Sequence, residues 1–508
     1  MAISSLVLTM VLLVSSMSMS EQRVIITAQG RLRGVDRGGY VLYPGIPYAS
    51  IKSNHGRFKG PGLAPLWSGI RDSRESLCST VSLDDCLQLD VYVPTGTGSN
   101  WPVLVWVTGG TGPYNPGKLA QQGIIAVVVH HRQGVAGFLC IDDETVPGNA
   151  GVKDVVIGLR WVRDNIIAFK GNPAKVVVAG QGYGAAMVEA LTLSPMSRGL
   201  YHGVILQSGS VLCPWAFNYD ANERGLKLMD MFSDSENSTK VSDINIKDLV
   251  AQSNKLDVPY FPFGICLENT IKGEERLLFG APYDLLSTKN DSVPMMIGYN
   301  DNEAYIFVSL LNEAKVLKRM SRDISFLLPA ELIFLNEREQ KQVVRQVEDM
   351  YFKKNISMGS VLAYHRDAYF TSHIHRSVRL HVTATNAQVY YYQFSYSGDI
   401  GVQSEPGIGK IGAANSDELV HLFSDEEHDG EDHMVQLKMI KLWTNFVKYL
   451  NPTPPNSEVN WEVTRADQLR VLDIGTEIRM MDYPYTKAAK MWRDIYDKYY
   501  YGRNRIAT

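Results

Sequence analysis

Charge of one sign is not in excess here: 50 basic residues stand against 54 acidic ones, a net charge of −4. So even a balance excludes electrostatic capture of nucleic acid or of an anionic membrane as the basis of function. Cysteine is scarce, five in 508 residues, which excludes a small scaffold held together by disulfides. The odd number leaves at least one thiol free or paired to another molecule. No segment reaches the roughly 20 apolar residues that span a bilayer, so no membrane span is expected. Internal repeats and low-complexity tracts are absent, and nothing calls for a cofactor. What is present is ordinary globular material, 45% hydrophobic and 20% charged, with length for a large core.

The first twenty residues differ from the rest. Leu6 to Val14 is a short apolar run, and the small residues Ser18 and Ser20 precede Glu21. Small residues at those two positions mark a cleavage site, although the usual N-terminal Lys or Arg is missing. Residues 1–20 are therefore expected to be a secretory signal, and 21–508 one domain of an extracellular protein. Glycosylation sequons at Asn237, Asn290 and Asn355 agree with that setting. The pairing of Cys140, Cys213 and Cys266 stays open.

Val103–Val107, Ile124–Val129 and Val176–Ala179 are unbroken Val/Ile-rich runs. Such runs suit strands buried on both faces of a mostly parallel sheet. Further strands are expected at Val293–Ile297, Val389–Tyr396 and Arg470–Ile474. Val155–Phe169 has helical periodicity, with Val156, Leu159, Val162 and Ile166 on one side, and Val435–Leu450 is a second amphipathic helix. The alternation predicts α/β architecture. Asp425–His433, with His428 and His433, is expected to be a solvated acidic loop and not a metal site. Tyr496–Tyr501 is expected to end a packed helix.

The segment Lys175-Val-Val-Val-Ala-Gly-Gln-Gly-Tyr-Gly184 runs a strand into a glycine turn and then into a helix. In α/β-hydrolases such a turn carries a nucleophilic serine at the top of the sheet. Ordered matches surround it: Gly45-Ile-Pro-Tyr-Ala49, Leu83-Asp-Asp-Cys-Leu-Gln-Leu-Asp-Val-Tyr-Val-Pro94, His131-Arg-Gln-Gly-Val-Ala-Gly-Phe-Leu139, Pro147-Gly-Asn-Ala-Gly-Val-Lys-Asp154, Gln207-Ser-Gly-Ser210 and Asn451-Pro-Thr-Pro454. On these residues the chain resembles the type-B carboxylesterase and cholinesterase family from about Gly30 to Tyr496. The elbow resembles that of some insect esterases. The resemblance implies an α/β-hydrolase fold with a large, mostly parallel central sheet flanked by helices. It also implies a disulfide between Cys78 and Cys86 and buried ion pairs Arg57–Asp84 and Arg132–Asp154.

At the family's catalytic positions the residues are unusual. Ester hydrolysis by this mechanism needs a hydroxyl, a base, an acid to orient the base, and oxyanion donors. The resemblance places Gly182 at the nucleophile position, Glu303 at the acid and Asn415 at the histidine. Gly110, Thr111 and Tyr183 fall at the oxyanion-hole positions. Glycine carries no oxygen, and asparagine does not titrate near neutral pH. Losing a working triad's nucleophile or base costs on the order of 10⁶ in rate. Ser208, Ser210, Tyr183, His421, Cys140 and Cys213 are the candidate replacements, and none has an evident activating partner in the sequence. Sequence alone therefore predicts a catalytically inactive pseudoenzyme that binds a small hydrophobic ligand or an extracellular protein. The alternative is a carboxylic ester hydrolase with non-standard catalytic residues. The oligomeric state is open.

Overall fold

The computed structural model describes residues 23–51, 56–72, 87–110, 114–232, 240–256, 258, 261–307, 320, 323–353, 356–402, 412–484 and 486–501. Its strands are β1 (Val24–Ile26), β2 (Arg31–Arg33), β3 (Val35–Asp36), β4 (Tyr40–Pro47), β5 (Ile70–Asp72), β6 (Gln88–Pro94), β7 (Trp101–Val107), β8 (Ile125–Val129), β9 (Gly171–Gln181), β10 (Gly203–Gln207), β11 (Met295–Asn300), β12 (Val389–Phe394), β13 (Arg470–Ile474) and β14 (Ile478–Asp482). β1, β2 and β5 form a small sheet, and the other eleven form one sheet ordered β14-β13-β12-β11-β10-β9-β7-β8-β6-β4-β3. From β8 through β13 neighbouring strands run parallel. The antiparallel pairings lie towards the two edges.

Parallel neighbours need crossovers, and helices supply them. Ala150–Asn165 lies between β8 and β9, and Tyr183–Leu193 between β9 and β10. The strand pleat sends alternate side chains to opposite faces. Val103, Val105 and Val107 therefore enter one core cluster with Val155, Leu159 and Ala186. Leu104 and Trp106 enter the other, with Met439, Trp443 and Phe446 of helix Gly430–Tyr449. Burial on both faces is why β7, β8 and β9 are apolar without interruption.

Two helices start earlier than their periodicity suggested. Ala150–Asn165 begins five residues before Val155, because Asn149 turns the chain in the left-handed region (φ 56°, ψ 23°) and Ala150–Asp154 are already helical. Residues Ile166–Phe169 continue it as a tighter turn. The helix expected from Val435 begins at Gly430, so the acidic stretch is only partly a loop. Asp432 is buried there and accepts a hydrogen bond from the Asp399 N–H at 3.3 Å. Among the described residues no cluster of His, Cys, Asp or Glu could hold a metal ion, and no helix is long and apolar enough to cross a membrane.

Arg132 and Asp154 pair in the core, both side chains fully inaccessible, at 2.5 Å. The guanidinium's remaining donors reach the carbonyls of Arg57 (2.6 Å), Lys59 (2.9 Å) and Ala150 (3.4 Å). Arg57 itself donates to the carbonyl oxygens of Val241 and Ile244. Its expected partner Asp84 lies outside the described residues, as do Cys78, Cys86, Thr111, Asn237 and Asn355. Asn290 is described and exposed. Cys140 is bridged to Cys266, and Cys213 is a buried free thiol.

Candidate active site

The turn from β9 into helix Tyr183–Leu193 is a strained elbow. Gly182 caps the helix at φ 56° and ψ −118°, a region that side-chain-bearing residues enter only at a cost. Its N–H donates to the Gln207 carbonyl at 2.8 Å, and its own carbonyl accepts from Ala186 at 3.1 Å. The flanking glycines serve close packing: a Cβ on Gly184 would lie 2.4 Å from the Val107 oxygen, and one on Gly180 2.5 Å from the Gly184 carbonyl carbon. A Cβ on Gly182 would meet nothing within 4 Å. The elbow therefore has room at its tip, and its glycine answers to backbone angle, not to crowding.

A second loop brings Asn415 to the elbow. Asn302 donates to the Ala413 carbonyl at 2.9 Å, and Asp301 accepts from the Ala413 N–H at 2.7 Å. Asp417 accepts from the Ala414 N–H at 2.8 Å, closing the turn. Ser416 follows at φ 75°, in the left-handed region. The result is a side-chain chain: Gln181 Nε2 donates to Asn415 Oδ1 at 2.9 Å, and Asn415 Nδ2 donates to Glu303 Oε2 at 2.6 Å. Ser416 Oγ donates to the same Asn415 Oδ1 at 3.0 Å. Glu303 Oε1 accepts from the Asn300 N–H at 2.8 Å.

Glu303 is fully buried, and burial pushes its carboxyl up to about 8, with the Glu418 charge adding to the rise. Glu418 is pushed up to about 7, again mainly by burial. Asn300 Nδ2 holds Glu418 at 2.5 Å and Gln207 Nε2 holds it at 3.2 Å, while Gln207 accepts from the Trp443 indole at 2.8 Å. This polar network lies under the elbow and ties helix Gly430–Tyr449 to the end of β10.

Above the elbow is a cavity of about 970 Å³, with Gly109, Gly110, Gln181, Gly182, Asn415 and Ser416 at its polar end and Phe138, Trp215, Phe261, Phe263 and Phe370 among its apolar walls. No Asp, Glu, Lys or Arg lines it among the described residues. Tyr183 lines the cavity instead of filling it. Its ring stands edge-on to Phe138 with centroids 4.9 Å apart, and 6.4 Å from Trp215. His131 also borders the cavity, but Nε2 lies 2.8 Å from the Thr108 carbonyl and Nδ1 2.9 Å from that of Arg132. A backbone carbonyl faces each ring nitrogen, and burial lowers the ring's pKa.

The other candidate replacements are not among the residues lining the cavity. Ser210 donates to buried Glu189 at 2.5 Å, and Ser208 is fully buried at the end of β10. Burial pushes the Cys213 thiol well up, and Cys140 is oxidised. His421 packs against the rings of Phe394 and Tyr396, 5.7 and 5.6 Å away. Sequence reasoning missed Tyr114, His131 and Ser416 as cavity residues. They sit in loops whose return to the elbow no periodicity encodes. Gln181 was visible within the elbow motif, but not its hydrogen bond to a residue 234 positions away.

Comparison with known proteins places these features in a family. The chain is 28% identical over 490 residues to pyrethroid hydrolase Ces2e of Rattus norvegicus, covering 85% of this chain and 82% of that one. It is 27% identical over 486 residues to esterase FE4 of Myzus persicae, covering 85% and 84%. Among solved structures, juvenile hormone esterase from Manduca sexta with OTFP covalently attached superposes with a TM-score of 0.84 at 25% identity, over 93% of this chain and 99% of that one. The PNB esterase shares the fold, with a TM-score of 0.76 at 23% identity. The α/β-hydrolase fold expected from sequence is the one found. The expectation that this chain is not an enzyme is corrected. Its relatives and structural neighbours are hydrolases, and the elbow and the cavity above it are in place. Residues 21–492 match the model of the carboxylesterase family, and the chain belongs to it.

Proposed function

We propose that this chain hydrolyses carboxylic esters with catalytic residues outside the usual set, in the cavity above Gly182. The observation that carries the proposal is the elbow itself, held at φ 56° and ψ −118° with open space at its tip, on the floor of a cavity that no charged side chain lines among the described residues. A neutral ester enters by burying its apolar groups. Its carbonyl oxygen lies towards the N–H groups at Gly110 and Tyr183, which are fixed before the reaction starts and cost no reorganisation. Water in the space beside Gly182 attacks the carbonyl carbon. The carbon–oxygen bond to the alcohol breaks, and the alcohol departs with the proton that water gives up, leaving the acid. Gln181, Asn415 and Glu303 form a hydrogen-bonded wall that positions the water and the ester.

Asn415 has no proton to exchange near neutral pH, so hydroxide from solvent supplies the base, and the rate rises with pH. Oxyanion stabilisation and binding alone leave roughly 10³-fold acceleration over water. An extracellular setting belongs to the same proposal. The N-terminal run, the sequons and the Cys140–Cys266 bridge support it, since disulfides persist in oxidising compartments.

The test is steady-state and pre-steady-state hydrolysis of a nitrophenyl butyrate by the purified chain. Turnover above the buffer rate, climbing with hydroxide and without a burst, is expected, together with no labelling by a fluorophosphonate probe. A rate equal to buffer alone defeats the proposal. A stoichiometric burst defeats its mechanism, because it requires a side-chain nucleophile.

A further inference from the structure

A second cavity of about 470 Å³ adjoins the first, and Trp215 and Phe261 line both. That volume falls within the roughly 300–1,000 Å³ of small-molecule sites. Asp220, Arg224 and Lys227 line it from helix Ala221–Asp230 and the residue before it. Their i, i+4, i+7 spacing puts them on one stripe of the helix. Leu256, Val258, Phe326, Leu328 and Pro329 supply apolar wall. Trp215 and Tyr369 present only their rings. The Trp215 indole N–H donates to the Tyr369 carbonyl at 2.8 Å, and the Tyr369 hydroxyl donates to the Leu327 carbonyl at 3.0 Å. Phe261 is half exposed, apolar surface that a guest would cover. The charges do not cancel. Arg224 Nε lies 2.8 and 2.9 Å from the two oxygens of Asp220, so that pair is neutral, and Nη1 donates to the carbonyls of Phe261 and Pro262 at 3.3 and 3.4 Å. Nη2 has no partner among the described residues, although the Arg224 side chain is only 10% exposed. The Lys227 ammonium has none among them either, and it leaves the described lining one positive charge in excess.

We infer that this smaller cavity is a second ligand site, for a carboxylate that carries an apolar chain. Its carboxylate takes charge-assisted hydrogen bonds from Arg224 Nη2 and the Lys227 ammonium. Its chain covers Phe261 and Phe326 and releases water from the apolar walls. The larger cavity, which no charged side chain lines among the described residues, would leave the same carboxylate unpaired at a cost. The two cavities thus divide their guests by charge, the neutral one to the larger and the anion to the smaller. This site is separate from ester hydrolysis and stands whether or not the chain turns over an ester.

The test is titration calorimetry of the full chain with octanoate and with octanol, its uncharged match. Octanoate should bind the natural chain. Lys227→Glu reverses the excess charge at an exposed helix position. It should weaken octanoate by about tenfold and leave octanol within about twofold, since only the anion uses the ammonium. Ala330→Trp fills the same cavity from an exposed turn. It should weaken octanoate by about as much and again spare octanol, which the larger cavity takes. Both substitutions are at exposed positions, and thermal melts check that each variant is folded. Octanoate that fails to bind the natural chain, that binds either folded variant unchanged, or that is lost together with octanol overturns the inference.

Discussion

Glu303 and Glu418 are the residues at which the site and the fold are hardest to separate. Both carboxyls are buried, and both are raised, to about 8 and about 7, from an ordinary value of 4.5. The folded chain therefore holds protons that the unfolded chain releases above pH 4.5. Linkage then gives stability that is greatest below that point and declines as pH rises to about 8. Urea unfolding at pH 5, 7 and 9 should show this decline, and Glu303→Gln should flatten it by removing one titration. A curve equally steep in the variant would place the dependence elsewhere. Arg132 behaves oppositely, since its cost appears only when it is removed. Arg132→Met strands the Asp154 charge in the core and should cost about 3–5 kcal/mol by chemical denaturation. Asp154 lies close in the chain to the Arg132 motif, so family resemblance was enough to suggest this pair. The Gln181–Asn415–Glu303 chain was not legible in the same way. Its three members come from the end of β9, the short helical turn Glu303–Phe307 and the loop before helix Asp417–Phe423, and only the fold brings them together.

The elbow shows how much of an element a sequence can carry. A Val-rich strand, three alternate glycines and a helix were evident from Lys175 to Val188, and β9 and helix Tyr183–Leu193 follow that pattern. The division of labour among the glycines was not evident, because each reads the same on paper. Gly180 and Gly184 are held by contact, and Gly182 by its dihedral angles. Gly182→Ala should therefore cost only about 1–3 kcal/mol, the price of backbone strain. Gly180→Ala must move a backbone carbonyl and should cost clearly more, and thermal melts of the two variants compare them directly. An equal loss would mean that crowding also governs Gly182. The central strands were legible because burial on two faces leaves an unbroken apolar run. Edge strands such as β3 and β14, short and without a buried residue, leave no such record. Helix Ser372–Ala384 was missed too. Its buried residues include His373, His375, Arg376 and His381, so its inner face does not read as apolar.

On the scale of the whole molecule, the Cys140–Cys266 bridge spans a separation of 126 residues that contains β9, the elbow and β10. Closing so long a loop restricts the unfolded chain and is worth about 4–5 kcal/mol in the chain-entropy model. Replacing both cysteines by alanine should lower the melting temperature, and an unchanged value would show that the rest of the core suffices. The architecture was foreseen from motifs that pass the whole length of the chain, whereas this bridge was not, because three cysteines admit several pairings. The cavity, too, is a property of the assembled molecule, since its walls come from segments as far apart as Gly109 and Ser424. Among the described residues no charged side chain lines it, and that governs how a guest arrives. Association with a neutral guest should therefore proceed at the same rate in dilute and concentrated salt. Its thermodynamic mark should be a negative change in heat capacity, and selection among guests falls to shape and to how readily each one leaves water.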